Sequence, residues 1–197
     1  MRHDNFILTD QELVRRSRGR LPHWQLDEST YSITFRLRDS LPRHIAIALV
    51  REREQMMRMA MNRSERAEVD RLFSIKFDSH LDKGYGSCIF RDDANAAIVA
   101  GALRHFDHVR YELHAWCVMP NHVHAMIYLQ HGADLDRVMH SWKSYTAHQI
   151  GRGVIWQREY FDRIIRDAHD FQTTRSYVLN NPFKAGLRGW KWVGYGG

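Results

Sequence analysis

The sequence predicts an α+β fold, in which one mostly antiparallel sheet carries helices against one face. Two observations predict the sheet. One is "YSITFRL" (31–37), which is rich in β-branched and aromatic residues, and the other is the pair of apolar runs "YELHAWCVM" (111–119) and "HVHAMIYL" (122–129). The connection "PN" between those two runs is so short that they must be antiparallel neighbours. Apolar residues at helical spacing before and after this pair predict the helices.

After the first strand we predict an inserted helical segment. Residues 43–78 contain neither Pro nor Gly and are interrupted only by "NRSE" (62–65), which indicates a pair of helices. Ser64 is a candidate cap for the second helix of that pair. Beyond the turn at "KGYGS", the tripeptide "CIF" (88–90) is expected to form a short strand or bridge.

Three further helices are predicted around the strand pair. The segments "RDDANAAIVAGALRHFD" (91–107) and "DLDRVMHSWKSYTAHQI" (134–150) both repeat apolar residues at helical spacing. A last helix begins at about Ala168 and must stop near Pro182. Between the last two helices, "GRGVIWQREYFDRIIRD" (151–167) is a compact basic and aromatic piece to which we assign no strand.

The composition fits one globular domain. The chain has 197 residues, and 44% of them are hydrophobic, which is enough to build a core. The formal charge is +6, and 29 Lys and Arg are interspersed with 6 Trp, 8 Tyr and 9 Phe. That mixture suits phosphates and stacked bases, but it is equally compatible with a basic surface around an aromatic core. We predict a single domain over 1–197, with a basic and aromatic extension at about 183–197.

Cysteine usage and hydropathy indicate the compartment. Cys88 and Cys117 lack the spacing of a zinc knuckle or a disulfide framework, so a reducing cytoplasm is expected. No stretch approaches the roughly 20 apolar residues of a membrane span. The polar start "MRHDNFILTDQE" (1–12) lacks the apolar core of a signal peptide. A cytoplasmic protein with no membrane partner is therefore expected.

Two histidines one residue apart lie within the second apolar run. His122 and His124 project from the same side of a strand, because alternate residues share a face, while Val123 and Ala125 turn toward the helix-covered core. Paired imidazoles can bind a metal, but so short a motif is more often a half-exposed polar face. A metal would need at least one more oxygen or nitrogen ligand, and its open positions could polarise a phosphate.

Two tyrosines are candidate nucleophiles beside such a metal. Tyr177 has Asn181 four residues later, on the same face of its helix. Tyr145 has Gln149 at the same spacing, so each pair presents a phenol and an amide oxygen together. Tyr145 lies on an apolar stripe with Trp142, where we expect it to be packed. Tyr177 lies off the apolar line of its helix, which fits either a surface tyrosine or a nucleophile.

Four further blocks of the sequence are "WCVMPNHVHAMIYL" (116–129), "SWKSYTAHQI" (141–150), "VIWQREYFDRIIRD" (154–167) and "YVLNNPFKAGL" (177–187). In this order they resemble the REP-associated tyrosine transposases, the IS200-like, one-tyrosine branch of the HUH endonuclease superfamily. The segments "LPHW", "YSITFRLRDSLP" and "WKWVGY" are similar to the same family, so the resemblance extends from about residue 21. It implies the ferredoxin-like HUH fold.

The resemblance also implies roles for individual residues. His122 and His124 are implied as metal ligands, with Asn181 as the third ligand and Tyr177 as the nucleophile. The implied metal is Mg²⁺ or Mn²⁺, whereas two imidazoles by themselves would also suit Zn²⁺. Compact members of the family lack the long charged stretch at 43–78, so its role is open.

The implied activity is nicking and joining of DNA through a 5′-phosphotyrosine intermediate. The substrate would be single-stranded or stem-loop DNA, including REP-like palindromes, bound by a monomer or a homodimer. Two other functions stay open: binding such nucleic acid without cutting it, and metal-dependent hydrolysis by water. Another insertion-sequence branch uses a tyrosine with a glutamine four residues later, so Tyr145 and Gln149 are the alternative site. Five basic residues near aromatic rings are the expected DNA contacts: Arg158, Arg163, Arg166, Arg175 and Lys184.

Overall fold

The computed structural model describes residues 14–16, 23–26 and 28–196, and it confirms the predicted α+β class. The polar start at 1–12 and the first two residues of "LPHW" lie outside the described residues. Its helices are α1 (Arg43–Met59), α2 (Arg63–Leu81), α3 (Asp93–His105), α4 (Leu135–Ile150) and α5 (Ala168–Lys184). Its strands are β1 (Val14–Arg16), β2 (His23–Gln25), β3 (Thr30–Arg36), β4 (Tyr111–Val118), β5 (His122–Leu129), β6 (Phe161–Ile164) and β7 (Val193–Gly194).

Five strands form one antiparallel sheet with the order β6-β3-β5-β4-β7, and β1 pairs with β2 separately. The predicted strands β3, β4 and β5 form its centre, and β4 and β5 are antiparallel neighbours as expected. The edge strands β6 and β7 were not predicted. They are only four and two residues long, and β6 lies within the basic and aromatic piece whereas β7 lies within the C-terminal extension. Strands this short carry too few residues to show an alternating pattern.

Helices cover both faces of the sheet, so the expectation of a single covered face is corrected. Val123 and Ala125 of β5 pack with Trp142 of α4 in the main core, together with residues of α3. On the opposite face, Met126 packs with Val178 of α5 in a second apolar cluster. The physical reason is that nearly every residue of β5 is apolar or buried, so both of its faces must be shielded from water.

The inserted segment forms the predicted helical pair, α1 and α2. Phe73 and Phe77 of α2 pack with Leu49 of α1, and Phe161 of β6 packs partly against them. The ring centroids of Phe77 and Phe161 are 5.0 Å apart. An ion pair between Arg53 and Asp70, 2.7 Å apart, also joins the two helices. The insertion is therefore packed against an edge of the sheet.

Two local predictions need correction. Asn62 caps α2, because its side chain accepts a hydrogen bond from the Glu65 N–H, and Ser64 lies inside the helix. The "CIF" segment contributes to a short 3₁₀ helix, Ile89–Arg91, rather than to a strand. Helix α5 begins at Ala168 and ends at Lys184, two residues beyond Pro182, so its predicted bounds are confirmed.

Within the described part of the chain, no helix is both long enough and apolar enough to cross a bilayer.

Candidate active site

The paired histidines lie at the centre of the sheet and share one face of β5. Their Nε2 atoms are 3.0 Å apart, and the two rings are perpendicular with centroids 4.8 Å apart. His122 is fully buried, and only 2% of His124 is exposed. The histidine face was expected to be free, but α5 covers it.

Neighbouring groups fix the protonation of His122. The Asn121 amide donates to the carbonyls of Leu81 and Tyr85, at 3.1 and 3.0 Å, which leaves its Oδ1 as an acceptor. That oxygen is 2.7 Å from His122 Nδ1, so Nδ1 carries the proton and Nε2 presents a lone pair. Burial lowers the pKa of His122 well below its ordinary value, and the adjacent His124 adds to the effect.

His124 is also held as a neutral ring. Its Nδ1 lies 2.9 Å from the Thr34 hydroxyl on the neighbouring strand β3. Burial lowers the pKa of His124 to about 3. At neutral pH the site therefore contains two uncharged imidazoles whose Nε2 atoms face each other, which is the protonation state that metal ligation requires.

Helix α5 brings Tyr177 and Asn181 to the histidines. The Asn181 amide nitrogen is 3.3 Å from His124 Nε2, and the side chain is fully buried. The rings of Tyr177 and His124 have centroids 5.7 Å apart. Burial of Val178 in the second apolar cluster holds this part of α5 against the sheet. The spacing of four residues thus places both side chains on the face of α5 that meets β5.

Two carboxylates from α2 also reach this cluster, and neither was identified from the sequence. The Tyr177 hydroxyl donates a 3.0 Å hydrogen bond to Asp78 Oδ2, and Asp78 is only 5% exposed. Asp82 Oδ1 lies 3.7 Å from His122 Nε2. The only available signal was that two acids stand four residues apart, which is common on exposed helices.

Burial dominates the electrostatics of these acids. It raises the pKa of Asp78 to about 8 against the opposing effect of the Tyr177 hydrogen bond, and it raises the pKa of Asp82 to about 6. Burial also raises the pKa of Tyr177, as do the charges of both acids, while a hydrogen bond with Asn181 lowers it. The phenol is therefore protonated at neutral pH and requires a base before it can act as a nucleophile.

The buried polar atoms indicate whether these residues fit a divalent cation. Within the described residues, no group of three or more His, Cys, Asp or Glu is arranged to hold a metal, but the expected third ligand is an amide. Asn181 Oδ1 is buried without a hydrogen-bond partner. The 3.0 Å between the two Nε2 atoms matches adjacent ligands that each lie about 2.1 Å from one octahedral ion. The residues thus fit an ion held by His122, His124 and Asn181.

The alternative pair, Tyr145 and Gln149, does not lie beside the histidines. Helix α4 packs through Trp142 on the sheet face opposite to the histidines, so Tyr145 and Gln149 are not brought to them. The expectation that Tyr145 is packed is wrong, because 53% of it is exposed. The buried stripe continues instead through Thr146, whose hydroxyl accepts a 2.9 Å hydrogen bond from Trp156 Nε1.

The predicted DNA-binding cations differ in what they contact. Arg163 donates to Asp170 at 2.6 Å and so links β6 to α5. The Lys184 ammonium lies over the ring of Tyr177, 4.9 Å from its centroid. Their contacts with DNA stay predictions. Of the remaining three, Arg158 and Arg166 are exposed and Arg175 lies over the ring of Tyr195.

The raised pKa of Asp78 predicts that the stability of the protein depends on pH. Folded Asp78 keeps its proton up to about pH 8, whereas an unfolded aspartate loses it near pH 4, about its ordinary pKa. Between about pH 4 and pH 8 the folded protein therefore holds a proton on Asp78 that the unfolded chain has lost. The stabilisation of the folded state by this proton is complete below about pH 4 and is lost as the pH rises past about 8. We expect Asp78→Asn to gain stability relative to the natural protein between pH 5.5 and 8.5, by at most about 1.4 kcal/mol per pH unit.

Urea unfolding of both proteins at several pH values measures this difference. The histidines titrate equally in both proteins, so their effect cancels in the comparison. Parallel curves of unfolding free energy against pH would contradict the assigned state of Asp78.

The fold and the site together define a class: an α+β domain whose central strand presents paired histidines to a tyrosine on a covering helix. Residues 88–181 match the family described as IS200-like transposases, and this segment contains both histidines, Tyr177 and Asn181. That segment is therefore similar to the IS200-like transposases, and the predicted resemblance to the REP-associated tyrosine transposases is confirmed.

Individual relatives agree with this assignment. The chain is 33% identical over 78 residues to a REP-associated tyrosine transposase of Escherichia coli (strain K12), and this match covers 39% of the chain and 47% of the relative. It is 25% identical over 95 residues to a putative REP-associated tyrosine transposase of Haemophilus influenzae, covering 41% and 54% of the two chains. The chain thus spans about half the length of these curated relatives.

A solved structure shares the fold over a longer stretch. It is a REP-associated tyrosine transposase bound to a REP hairpin, and it superposes with a TM-score of 0.55 over 90% of this chain and 82% of its own. The sequence identity is 18%, so this likeness concerns the fold alone.

Proposed function

We propose that this protein is a DNA nicking and joining enzyme of the transposase type. Tyr177 would attack a phosphate in single-stranded or stem-loop DNA. The observation that carries this proposal is the assembly of Tyr177 and Asn181 against the buried pair His122 and His124. The family match and the curated relatives support a role in DNA transposition.

The chain's own residues supply the nucleophile and its base. As the pH approaches and passes about 8, Asp78 ionises and accepts the phenol proton along the existing hydrogen bond, and the phenol oxygen attacks phosphorus. The bond from phosphorus to the 3′ oxygen breaks, and that oxygen takes a proton from water. The products are a 5′-phosphotyrosine and a free 3′-hydroxyl. A later attack by a 3′-hydroxyl on the phosphotyrosine rejoins DNA, so no nucleotide cofactor is consumed.

A divalent cation completes the proposed chemistry. His122, His124 and Asn181 would hold Mg²⁺ or Mn²⁺. When bound, the ion would withdraw charge from the non-bridging oxygens of the scissile phosphate. The buried rings of the two histidines exclude water from one side of the site. Tyr177 and Asp82 are partly exposed, so the cluster meets solvent where they lie.

Stem-loop DNA is the proposed substrate. A single tyrosine needs an accessible, unpaired backbone, and the solved structural relative is bound to a REP hairpin. Lys184 lies over the tyrosine ring, where its charge can hold a phosphate close to the phenol. The exposed Arg158 and Arg166 add positive charge at the surface of the piece that precedes α5.

Covalent trapping tests the proposal. The protein is incubated with labelled stem-loop, single-stranded or blunt duplex DNA and Mn²⁺, then run on a denaturing gel. We expect a protein–DNA adduct with the first two substrates and none with the duplex or with EDTA. Cleavage without an adduct would favour hydrolysis by water, and an adduct with duplex DNA alone would contradict the substrate proposal.

Burial of the site favours one alternative function. Both histidines and Asn181 are at most 2% exposed, so these three side chains are shielded from solvent in this arrangement. A protein that binds single-stranded or stem-loop nucleic acid without cutting it would retain such a closed site. Binding to the labelled stem-loop with neither cleavage nor adduct under every metal tested would support this alternative.

A further inference from the structure

The C-terminal end of α2 is attached to the start of β5. Asp82 is the C-cap residue of α2, and its backbone N–H donates to the carbonyl of Asp78 at 2.9 Å. Leu81 is fully buried, and its carbonyl accepts a hydrogen bond from the Asn121 amide. Because Asn121 directly precedes His122, the helix end and the histidine are fixed relative to each other.

The contact between Asp82 and His122 is unusual. Asp82 Oδ1 lies 3.7 Å from His122 Nε2, but the ring proton of the histidine lies on Nδ1, which is 2.7 Å from the Asn121 oxygen. Two lone pairs therefore face each other with no hydrogen atom between them. Asp82 Oδ1 is itself buried and makes no hydrogen bond within the described residues. Buried carboxylate oxygens normally have a partner, so this one needs an explanation.

Asn181 on helix α5 shows the same feature, a buried oxygen without a partner, beside the other histidine. Its Oδ1 is a second buried oxygen without a partner, on a side chain that is fully buried beside His124. A carboxylate oxygen of Asp82 thus lies near one histidine, and the Asn181 amide lies beside the other. All four groups can act as electron-pair donors to a cation.

We propose that Asp82 is an anionic ligand of the same divalent cation that His122, His124 and Asn181 would hold. This inference rests on the proposed function. Among the described residues Asp82 and the two histidines do not form a group arranged to hold a metal, so Asp82 would have to close the 3.7 Å gap to His122 when the ion binds. Two neutral imidazoles and an amide offer the ion no negative charge, and a carboxylate is the ligand that Mg²⁺ and Mn²⁺ favour. The C-terminal end of α2, which continues the 43–78 insertion, would then be a part of the active site.

Calorimetric titration with Mn²⁺ in the absence of DNA tests this inference. Asp82→Asn keeps the shape of the side chain but removes its charge, and we expect it to weaken Mn²⁺ binding by at least about 10-fold, the loss that even outer-shell partners of a metal cause. Glu68→Gln is the matched control, because it removes an exposed acid of the same helix that pairs with Arg71. The control should bind Mn²⁺ as the natural protein does.

A second readout is the shift in melting temperature on adding Mn²⁺, which should be smaller for Asp82→Asn than for the control. Asp82→Ala, tested in parallel, removes oxygen and charge together and provides the same comparison if the amide variant does not fold. Equal Mn²⁺ affinity in a folded Asp82 variant and the natural protein would overturn this inference and leave the proposed function standing. Absence of Mn²⁺ binding by the natural protein would contradict both.

Discussion

Replacing Tyr177 with phenylalanine is expected to abolish the covalent protein–DNA adduct, with a loss of at least about 10³-fold in its rate of formation. The variant removes the single oxygen that would form the bond to phosphorus. DNA binding should persist, because the ring and Lys184 above it remain. The Asp78 carboxyl loses the hydrogen bond from the Tyr177 hydroxyl, so we expect a loss of stability of about 1–3 kcal/mol.

A denaturing gel with labelled single-stranded DNA and Mn²⁺ measures the adduct, and mass spectrometry of the adducted peptide locates it. Tyr145→Phe is the matched control. Its hydroxyl lies on an exposed side chain of α4, across the sheet from the histidines, so that variant should form the adduct at the natural rate. If the label maps to the peptide containing Tyr145, then Tyr177 and Asn181 lose their assigned roles and Gln149 becomes the candidate ligand.

Replacing His122 or His124 with alanine is expected to remove both Mn²⁺ binding and cleavage. Each ring supplies one of two nitrogens that are 3.0 Å apart, and an ion that loses either keeps too few ligands at neutral pH. Without metal the variants should fold, but their free energy of unfolding should fall by about 1–3 kcal/mol. The reason is that each variant leaves a buried partner without its hydrogen bond. For His122 that partner is Asn121, and for His124 it is Thr34.

Calorimetry with Mn²⁺, urea unfolding and the denaturing gel test this prediction together. His140→Ala is the control, because His140 is an exposed histidine on α4 that contributes nothing to this cluster. Full cleavage by the double variant of His122 and His124 would contradict the metal site. Loss of cleavage with unchanged Mn²⁺ affinity would show that the histidines act on DNA and not on an ion.

Local sequence signals explain which parts of the fold were predictable. Strands β3, β4 and β5 are rich in β-branched, aromatic or apolar residues, α3 and α4 repeat apolar residues at helical spacing, and α1 and α2 lack Pro and Gly. Each of these elements was predicted near its observed position. Strands β6 and β7 were missed because they are defined by their partners, β3 and β4, and not by their own sequence. The cap at Asn62 was missed because both Asn62 and Ser64 are good capping residues, and only the hydrogen bond to Glu65 distinguishes them.

The sequence by itself determined the two local pairs of the site. Alternation along a strand places His122 and His124 on one face, and a spacing of four residues places Tyr177 and Asn181 together on α5.

Only the tertiary structure decided how these pairs meet and what else joins them. Asp78 contacts Tyr177 across 99 residues of sequence, and no local period relates the two. The burial of both histidines, the exposure of Tyr145 and the position of Asp82 likewise depend on how α2, α4 and α5 pack on the two faces of the sheet. The physical reason is that periodicity fixes the direction of a side chain within its own element, whereas its neighbours are fixed by which apolar faces pack together.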